Sequence, residues 1–364
     1  MYFSVYLYLH LYLCICASRL LQDYGMGQPP EELCIYVLTW NVGASSPEKT
    51  NLDSLLSLDG TSNCPKKEPD IFVIGQQEVQ ASVAKQISCL FTNHPWTDTF
   101  ITYLKDYGYQ KVCSRLMQGL LINVFAKSEH LPYIDNVESQ KTGTGLGGFW
   151  GNKGAVSIRM NLYNGSVTFV NMHLAAHDGM MGKRLKQFTK ILLYHNYKTL
   201  HYIFDHDVVT ILGDLNFRIK GIDNSESIIN KVKNKNLYEL LERDELRILL
   251  EHNKIFQCLN EVCPEFSPTF KYKVGTQSYN RKRRPAWCDR ILHRALGKQA
   301  RCIGFPVAYG TFLKVQQLSY RSHWKYVQSD HKPVSAEFLY KMERTSKCKY
   351  FSAEGDYIRP IDEL

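Results

Sequence analysis

Two segments of this chain set a carboxylate beside an apolar run: ILGDLNFRI, ending at Ile219, and RRPAWCDRIL, ending at Leu292. A surface charge bathed in water needs no such setting. A loop at the end of a rigid strand, by contrast, holds a polar side chain at a fixed separation in a cleft. Asp214 and Asp289 are therefore the first candidates for positioned chemistry. Read in chain order, six segments repeat the pattern: TWN at Asn41, QQE at Glu78, NMHLAAH at His173 and His177, GDLN at Asp214 and Asn216, WCDR at Asp289, and SDH at Asp330 and His331. One such Asp or Asn is ordinarily a cap or turn residue. Six in one chain point to convergence on a cleft.

The residue types suit a hard divalent cation, because carboxylates, amides and imidazoles without a cysteine pair favour Mg²⁺ over zinc. Glu78 is the leading metal ligand and Asp330 a second, while Asn41 can hold the ligand carboxylate or a phosphate oxygen. The histidines can donate to a charged, non-bridging oxygen, as donors already fixed in place best stabilise transition-state charge. His331 directly follows Asp330 and can pair with Asp289, which would keep its imidazole oriented and protonated.

A basic, glycine-rich group stands beside these. The run TGTGLGGFWGNKGAV, Thr142 to Val156, places five glycines before Asn152 and Lys153. Such a backbone can approach an anion closely, although a glycine-rich hairpin has the same composition. It is neither a P-loop nor a dinucleotide-binding turn, since no Lys-Ser/Thr pair follows and no helix opens there. The cluster RKRR, Arg281 to Arg284, precedes Pro285 and lies near Asp289. Charge runs are usually solvated faces, but one fixed beside a metal-site carboxylate can bind additional phosphates.

Strands must position these groups. Short β-branched and aromatic runs bounded by Gly, Pro, Asn or Asp predict strands at Leu33–Thr39, Ile71–Ile74, Leu120–Ala126, Ala155–Met160, Val167–Met172, Val208–Leu212, Arg290–His293 and Pro333–Leu339. Eight strands suggest one large sheet system. Helical periodicity covers Ala81–Phe91, Lys183–Phe204 and Asn236–Glu251, whose apolar faces read as core. No repeat or Ser/Gly linker interrupts the chain, so residues 31–341 read as one mixed α/β domain, with an apolar extension at 1–30 and a tail at 342–364.

With 364 residues and 44% hydrophobic composition the chain can bury a full core, and disorder is not the default. The net charge of +9 predicts attraction to polyanions without choosing among phosphates, anionic membranes and nucleic acid. Eleven cysteines, an odd count with no CxxC pair, read as buried reduced thiols, Cys34 and Cys89 among them. Met1 to Ala17 is apolar and Tyr-rich but lacks a basic residue before Arg19, which favours an extension outside the domain over a signal or anchor. The terminal IDEL lacks the first residue of an ER-retention tetrapeptide.

Taken together, GDLNFRI and RPAWCDRIL, supported by FWGNKGAV, HLAAH, PTFKY and SDHKPVSAEF, resemble the inositol polyphosphate 5-phosphatases. These are a branch of the DNase-I-like, Mg²⁺-dependent endonuclease/exonuclease/phosphatase superfamily. The resemblance runs from about Ile35 to Phe338, and SYRSHWKYVQSDHKP is most similar to the proline-rich and skeletal-muscle-and-kidney-enriched subgroup. It implies a four-layered α/β sandwich, two mixed sheets packed face to face with helices outside. It also implies removal of the 5-phosphate from phosphoinositides or soluble inositol phosphates, at the cytoplasmic surface of membranes, by a monomer that does not engage nucleic acid.

Carried onto this chain, the resemblance implies that Glu78 binds Mg²⁺ with Asn41 beside it and Asp330 completing the metal side. Asp214 with Asn216 orients and deprotonates the attacking water, His173 and His331 bind phosphoryl oxygens, and Asp289 pairs with His331. Asn152 and Lys153 fall near the 1-phosphate, and Phe270, Lys271, Arg281 and Arg283 near the 4-phosphate. Departures are Ile211 and Leu212 before GDLN, Ala155 closing GNKGA, and His293 after DRIL; none removes a charged catalytic group. The subgroup's C-terminal SKICH domain is not expected in the residues after Lys341. The alternatives are a nuclease or other phosphodiesterase of the superfamily, and a phosphoinositide-binding module without catalysis.

Overall fold

A computed structural model describes residues 30–47, 50–80, 93–145, 150–163, 165–198, 202–221, 224–295 and 312–342. The expected helix at Ala81–Phe91, the apolar segment Met1 to Ala17 and residues 343–364 lie outside the described residues. Every element below belongs to the unit Glu32–Leu364. The strands are β1 (Glu32–Asn41), β2 (Ile71–Gln77), β3 (Tyr109–Met117), β4 (Leu120–Lys127), β5 (Ile134–Gly145), β6 (Trp150–Leu162), β7 (Gly165–His173), β8 (Val208–Asp214), β9 (Asp289–Ala295), β10 (Phe312–Ser322) and β11 (Val334–Met342). The helices are α1 (Leu52–Leu55), α2 (Pro95–Lys105), α3 (Met181–Tyr194), α4 (Ser225–Lys233), α5 (Leu237–Leu241) and α6 (Glu245–His252).

The strands form two sheets, ordered β10-β11-β1-β2-β4-β3 and β5-β6-β7-β8-β9. Each is mixed: β1/β2 and β7/β8 are parallel, and the remaining pairs are antiparallel. In β1, Leu33, Ile35 and Val37 face the other sheet, where Val156, Ile158, Phe169, Leu212 and Ile291 meet them. The intervening Tyr36, Leu38 and Trp40 face outward beneath Leu52 and Leu55 of α1 and Trp96 and Phe100 of α2. Burial on both faces explains why β1 reads as a continuous apolar run rather than an alternating one. On the far side, Phe188, Ile191 and Leu192 of α3 and Leu246 of α6 cover Val170, Val209 and Ile211. Helix, sheet, sheet, helix is the four-layered arrangement that the resemblance implies, and the one large sheet system suggested by the strand count is two sheets.

One polar side chain crosses the central layer. Asn171 of β7 donates from Nδ2 to the carbonyls of Gln76 (3.0 Å) and Leu121 (2.9 Å) in the opposite sheet, and its Oδ1 accepts from Gln77 Nε2 at 2.6 Å. The approach requires Gly75, where an added Cβ would lie 2.6 Å from Leu212 Cδ1 and 2.9 Å from Asn171 Cγ. The amide therefore fixes how closely the two sheets pack at the end that carries the polar residues.

Three strands have no counterpart in the sequence reading: β3, β5 and β10. All three are sheet edges, half exposed and studded with Lys, Gln, Ser and Glu, as edges that resist further pairing tend to be. The expected helix Lys183–Phe204 stops at Tyr194, because His195 turns into the protein to bind Thr142 Oγ1 (2.8 Å) and Ser157 Oγ (2.5 Å). Asn236–Glu251 is two helices. Asp244 breaks it, its side chain capping α6 at Arg247 N and also receiving Arg290 Nη1 at 2.8 Å.

The reading of all cysteines as reduced thiols is corrected by a Cys34–Cys64 disulfide, and Cys258 is disulfide-bonded as well. Cys64 reaches β1 because Glu337 of β11 holds the preceding turn, accepting from Ser62 Oγ (2.7 Å) and Asn63 N (3.1 Å). A separation of 30 residues hides that proximity in the sequence. Cys113, Cys263 and Cys288 are free thiols.

Asn171→Leu keeps the branched shape but removes two buried hydrogen bonds to carbonyls and adds bulk, so it should cost about 3 kcal/mol. Urea unfolding should show a lower midpoint with an unchanged slope; an unchanged midpoint would refute the cross-sheet role.

Candidate active site

Parallel pairing sends the C-terminal ends of β1 and β2, and of β7 and β8, to the same end of their sheets, where ligand clefts of mixed sheets form. The register then aligns chemistry across four strands: Gly154 opposes His173, His173 opposes Asp214, and Asp214 opposes Asp289. Two glycines permit the row. Gly213 has φ +147° and a Cβ there would lie 2.0 Å from Met172 O; Gly154 has φ +143° and its Cβ would lie 2.0 Å from Thr142 O. The glycines of GDLN and GNKG are thus close-packing requirements of the sheet. Of the Thr142–Val156 run, residues 142–145 and 150–156 lie in the antiparallel pair β5/β6, the strand pairing its composition also allowed.

Like charges directly opposite in a strand pair repel. His331, just before β11 in the other sheet, answers this: its Nδ1 lies 2.9 Å from Asp289 Oδ2 and 3.1 Å from Oδ1, and its Nε2 lies 3.8 Å from Asp214 Oδ2. Thr269 Oγ1 donates to Asp289 Oδ2 at 2.6 Å, and the Trp40 indole donates to the His331 carbonyl at 3.3 Å. Burial opposes protonation of His331, yet the Asp289 and Asp214 carboxylates outweigh it and raise its pKa to about 9. The ring is therefore an imidazolium at neutral pH, its Nε2–H directed at Asp214.

Asp214 Oδ2 also accepts from Asn41 Nδ2 at 3.0 Å and lies 3.1 Å from His173 Nε2. Burial would raise its pKa, but His331, His173 and Lys153 together hold it well below the usual carboxylate range. The Lys153 ammonium rests on His173 Nε2. Burial first, and that ammonium second, lower the pKa of His173, which leaves a neutral imidazole among charged neighbours. Asn216 takes a positive φ of 58°, donates from Nδ2 to Leu174 O at 3.2 Å, and accepts from Arg218 Nη2 through Oδ1. It braces the turn as well as facing the cleft.

These groups open onto a cleft of about 190 Å³. Its cations are Lys153, Arg218, Lys271, Arg283 and Arg284, and its carboxylates are Glu78, Asp178, Asp214 and Asp330. His177 and Phe270 also line it. Phe270 packs at a tilt of 43° against His331 with centroids 4.7 Å apart, and the Arg218 guanidinium lies 4.5 Å from its ring centroid. Glu78 Oε1 is 3.8 Å from His173 Nε2, and Asp330 Oδ2 is held by Lys271 Nζ at 2.6 Å. Asn152 and Arg281 do not line the cleft; Asn152 is exposed, and Arg281 pairs with Glu226 at 3.3 Å.

One cation, Arg218, escaped the sequence reading, and a second, Arg284, was singled out only as a member of the RKRR cluster. Arg218 lies inside GDLNFRI yet is buried, with Nε on Asn216 O at 3.0 Å; an arginine within so apolar a run was the available signal. Arg284 closes the RKRR cluster and is anchored through Nη2 to Ile219 O at 2.8 Å. A hard cation fits this donor set. The cleft gathers the Glu78, Asp214 and Asp330 carboxylates, oxygen donors of the kind a hard cation takes, and no cysteine thiol is among the described residues that line it. The tighter acidic group of Asp214, Asp289 and His331 is instead an internally neutralised ion pair with an extra carboxylate.

Residues 38–337 match the model of Endonuclease/Exonuclease/phosphatase family 2, and the chain belongs to that family. It is 38% identical over 314 residues to phosphatidylinositol 4,5-bisphosphate 5-phosphatase A of Rattus norvegicus, covering 84% of this chain and 30% of that protein. It is 35% identical to inositol polyphosphate 5-phosphatase K of Mus musculus, covering 84% and 65%. The chain thus spans about a third to two thirds of the length of these curated relatives. Among solved structures it is similar to the inositol polyphosphate 5-phosphatase domain of SPsynaptojanin in complex with inositol (1,4)-bisphosphate and calcium ion. That likeness has a TM-score of 0.72 at 28% identity, over 90% of this chain and 91% of that one. The family and the two-sheet fold expected from the sequence are therefore established.

In metal-free protein the His331 ring should titrate near pH 9, carrying its charge below that pH and losing it above. Asp289→Asn should bring the midpoint down toward or below the ordinary histidine value of about 6.5. A histidine NMR titration in which the two proteins coincide would refute the pairing.

Proposed function

We propose that this chain is a Mg²⁺-dependent phosphatase that hydrolyses the 5-phosphate of phosphoinositides, PI(4,5)P2 and PI(3,4,5)P3, and of soluble inositol polyphosphates, by direct attack of water. The observation that carries this reading is the placement of an anionic Asp214 and a protonated His331 side by side at the floor of a cation-lined cleft. The activities named for the relatives at 38% and 35% identity support it. The catalytic domain is taken as residues 31–341.

In this reading Asp214 accepts a hydrogen bond from the attacking water and receives its proton as the bond to phosphorus forms. Because neighbouring cations keep this carboxylate strongly acidic, its main contribution is orientation rather than prior deprotonation. Asn216 fixes the turn that aims it. His331, held by Asp289, donates Nε2–H to a non-bridging oxygen, and His173 contacts another; preset donors of this kind strengthen as charge develops. Glu78, Asn41 and Asp330 would hold Mg²⁺, which when bound neutralises charge on the phosphoryl and leaving oxygens. Lys271 and Arg283, with Phe270 and the additional Arg218 and Arg284, would bind the 4-phosphate, with Arg281 at the cleft's outer margin. Lys153 and Asn152 would face the 1-phosphate.

Asp214→Asn should lower kcat on PI(4,5)P2 by roughly a hundred- to a thousand-fold, about 2.7–4 kcal/mol of transition-state stabilisation. Phosphate release assayed with and without Mg²⁺ decides this, and full turnover by the variant, or turnover indifferent to Mg²⁺, would sink the reading. Arg284→Ala should raise KM about ten-fold on 4,5-bisphosphorylated substrates, the loss of one charge-assisted contact, with a much smaller change in kcat.

A further inference from the structure

Beside the cleft lies a surface that the chemistry above does not use. It is made by two loops, residues 273–278 between the paired Tyr272 and Tyr279, and residues 323–328 after β10. Gly275 N donates to Val327 O at 2.7 Å, and the Lys332 ammonium donates to Tyr326 O at 2.7 Å and Thr276 O at 3.4 Å, so the loops form one unit. The unit adjoins the cleft, since Tyr272 N donates to Asp330 O at 2.9 Å and both Lys271 and Asp330 line the cleft wall.

At the loop tips Val274 is 63% exposed and Trp324 55% exposed. Scattered apolar side chains on a surface need no explanation, but two on one braced, cation-rich pair of loops do. Lys273, Lys282, Arg283 and Lys325 are exposed in these loops and in the segment after Tyr279, where Arg281 is already paired with Glu226. The one carboxylate within residues 271–283 and 323–330 is Asp330, which Lys271 already holds at 2.6 Å. Lys325 Nζ lies 5.8 Å from the Trp324 ring centroid.

We propose that Val274 and Trp324, with Lys273 and Lys325, form a docking rim that seats this chain on an anionic lipid bilayer with the cleft turned toward the headgroups. An indole beside lysines is the amphipathic chemistry that settles at headgroup level, and basic side chains add attraction to anionic lipid. An acidic peptide would satisfy the cations while leaving the apolar pair in water. The inference rests on the reading of the cleft as a phosphoinositide site, and it deepens that reading by separating lipid substrates, which the rim favours, from soluble ones, which it does not touch.

The test uses the full chain and vesicles of phosphatidylcholine with phosphatidylserine, carrying PI(4,5)P2 for turnover. The double variant Val274→Ser, Trp324→Ala should cosediment with these vesicles about ten-fold more weakly. Its turnover of vesicle PI(4,5)P2 should fall in parallel, and its turnover of soluble inositol 1,4,5-trisphosphate should stay within about two-fold of the parent. Lys325→Glu, a change at an exposed side chain, should weaken binding to the mixed vesicles and leave any binding to pure phosphatidylcholine unaltered. It also reads the same surface if the double variant folds poorly. Vesicle binding equal to the parent's in both proteins would overturn the proposal, as would a loss of soluble turnover matching the loss on lipid. Absence of turnover by the parent chain would refute the phosphatase reading separately, leaving the cosedimentation result to judge the rim.

Discussion

Asp214 and Asp289 face each other across neighbouring strands at the buried end of a sheet, and two carboxylates so placed are stable only with a cation fixed at them. That cation is His331, and it comes from the opposite sheet. The candidate site is therefore a clasp between two sheets, and its geometry is inherited from how closely they pack. Asn171 and Gly75 set that spacing in the central layer, and the Trp40 indole holds the His331 backbone where the clasp closes. Breaking one member of such a buried set leaves an uncompensated charge, which costs far more than the intact set contributes.

Around this clasp lies a ring of buried arginines. Arg290, next to Asp289 in the chain, points to the other face of β9 and binds Asp244 and Glu261. Arg184 of α3 binds Glu245 at 2.6 Å, and Glu245 Oε2 in turn accepts from the Arg218 backbone N–H at 3.0 Å. Helices α3 and α6 are thereby bonded to the strand-end turns that carry Asp289, Asn216 and Arg218. Each ion pair carries further hydrogen bonds, Arg184 to Ala175 O and His177 O and Arg290 to Trp287 O, while Arg184 Nε and Asp244 Oδ2 have no hydrogen-bond partner among the described residues.

Much of this was legible in the sequence because the informative strands are buried on both faces, the edge strand β9 included. Their continuous apolar runs were flanked by polar residues, so Asn41, Glu78, His173, Asp214, Asp289 and His331 could be found in order and paired by chemistry. The other edge strands were illegible for the opposite reason: half their surface meets water, and β3, β5 and β10 read as polar coil. Helix ends were misjudged where a tertiary bond outweighed periodicity, at His195 and at Asp244, although the latter offered a cap signal before a new apolar stretch. The Cys34–Cys64 bridge depends on a turn fastened by Glu337, a contact that spacing does not reveal. Arg218 was passed over because a single arginine inside an apolar motif reads as a chain exit to solvent, and only burial singles it out; Arg284 was named with its cluster but not set apart from its neighbours, which its bond to Ile219 O does.

β11 lies between β10 and β1, so β1, already paired with β2 on one side, finds its second partner only when the last described strand has been made. Trp40 and His331 touch across a separation of 291 residues. Contacts of such long range form slowly, and during synthesis the N-terminal strand must wait with one edge unpaired. No partial chain can assemble the histidine clasp. The clasp would thus arrive abruptly with the approach to β11, and a truncated translation product would carry nearly all the strand-end residues in order without the histidine that joins them.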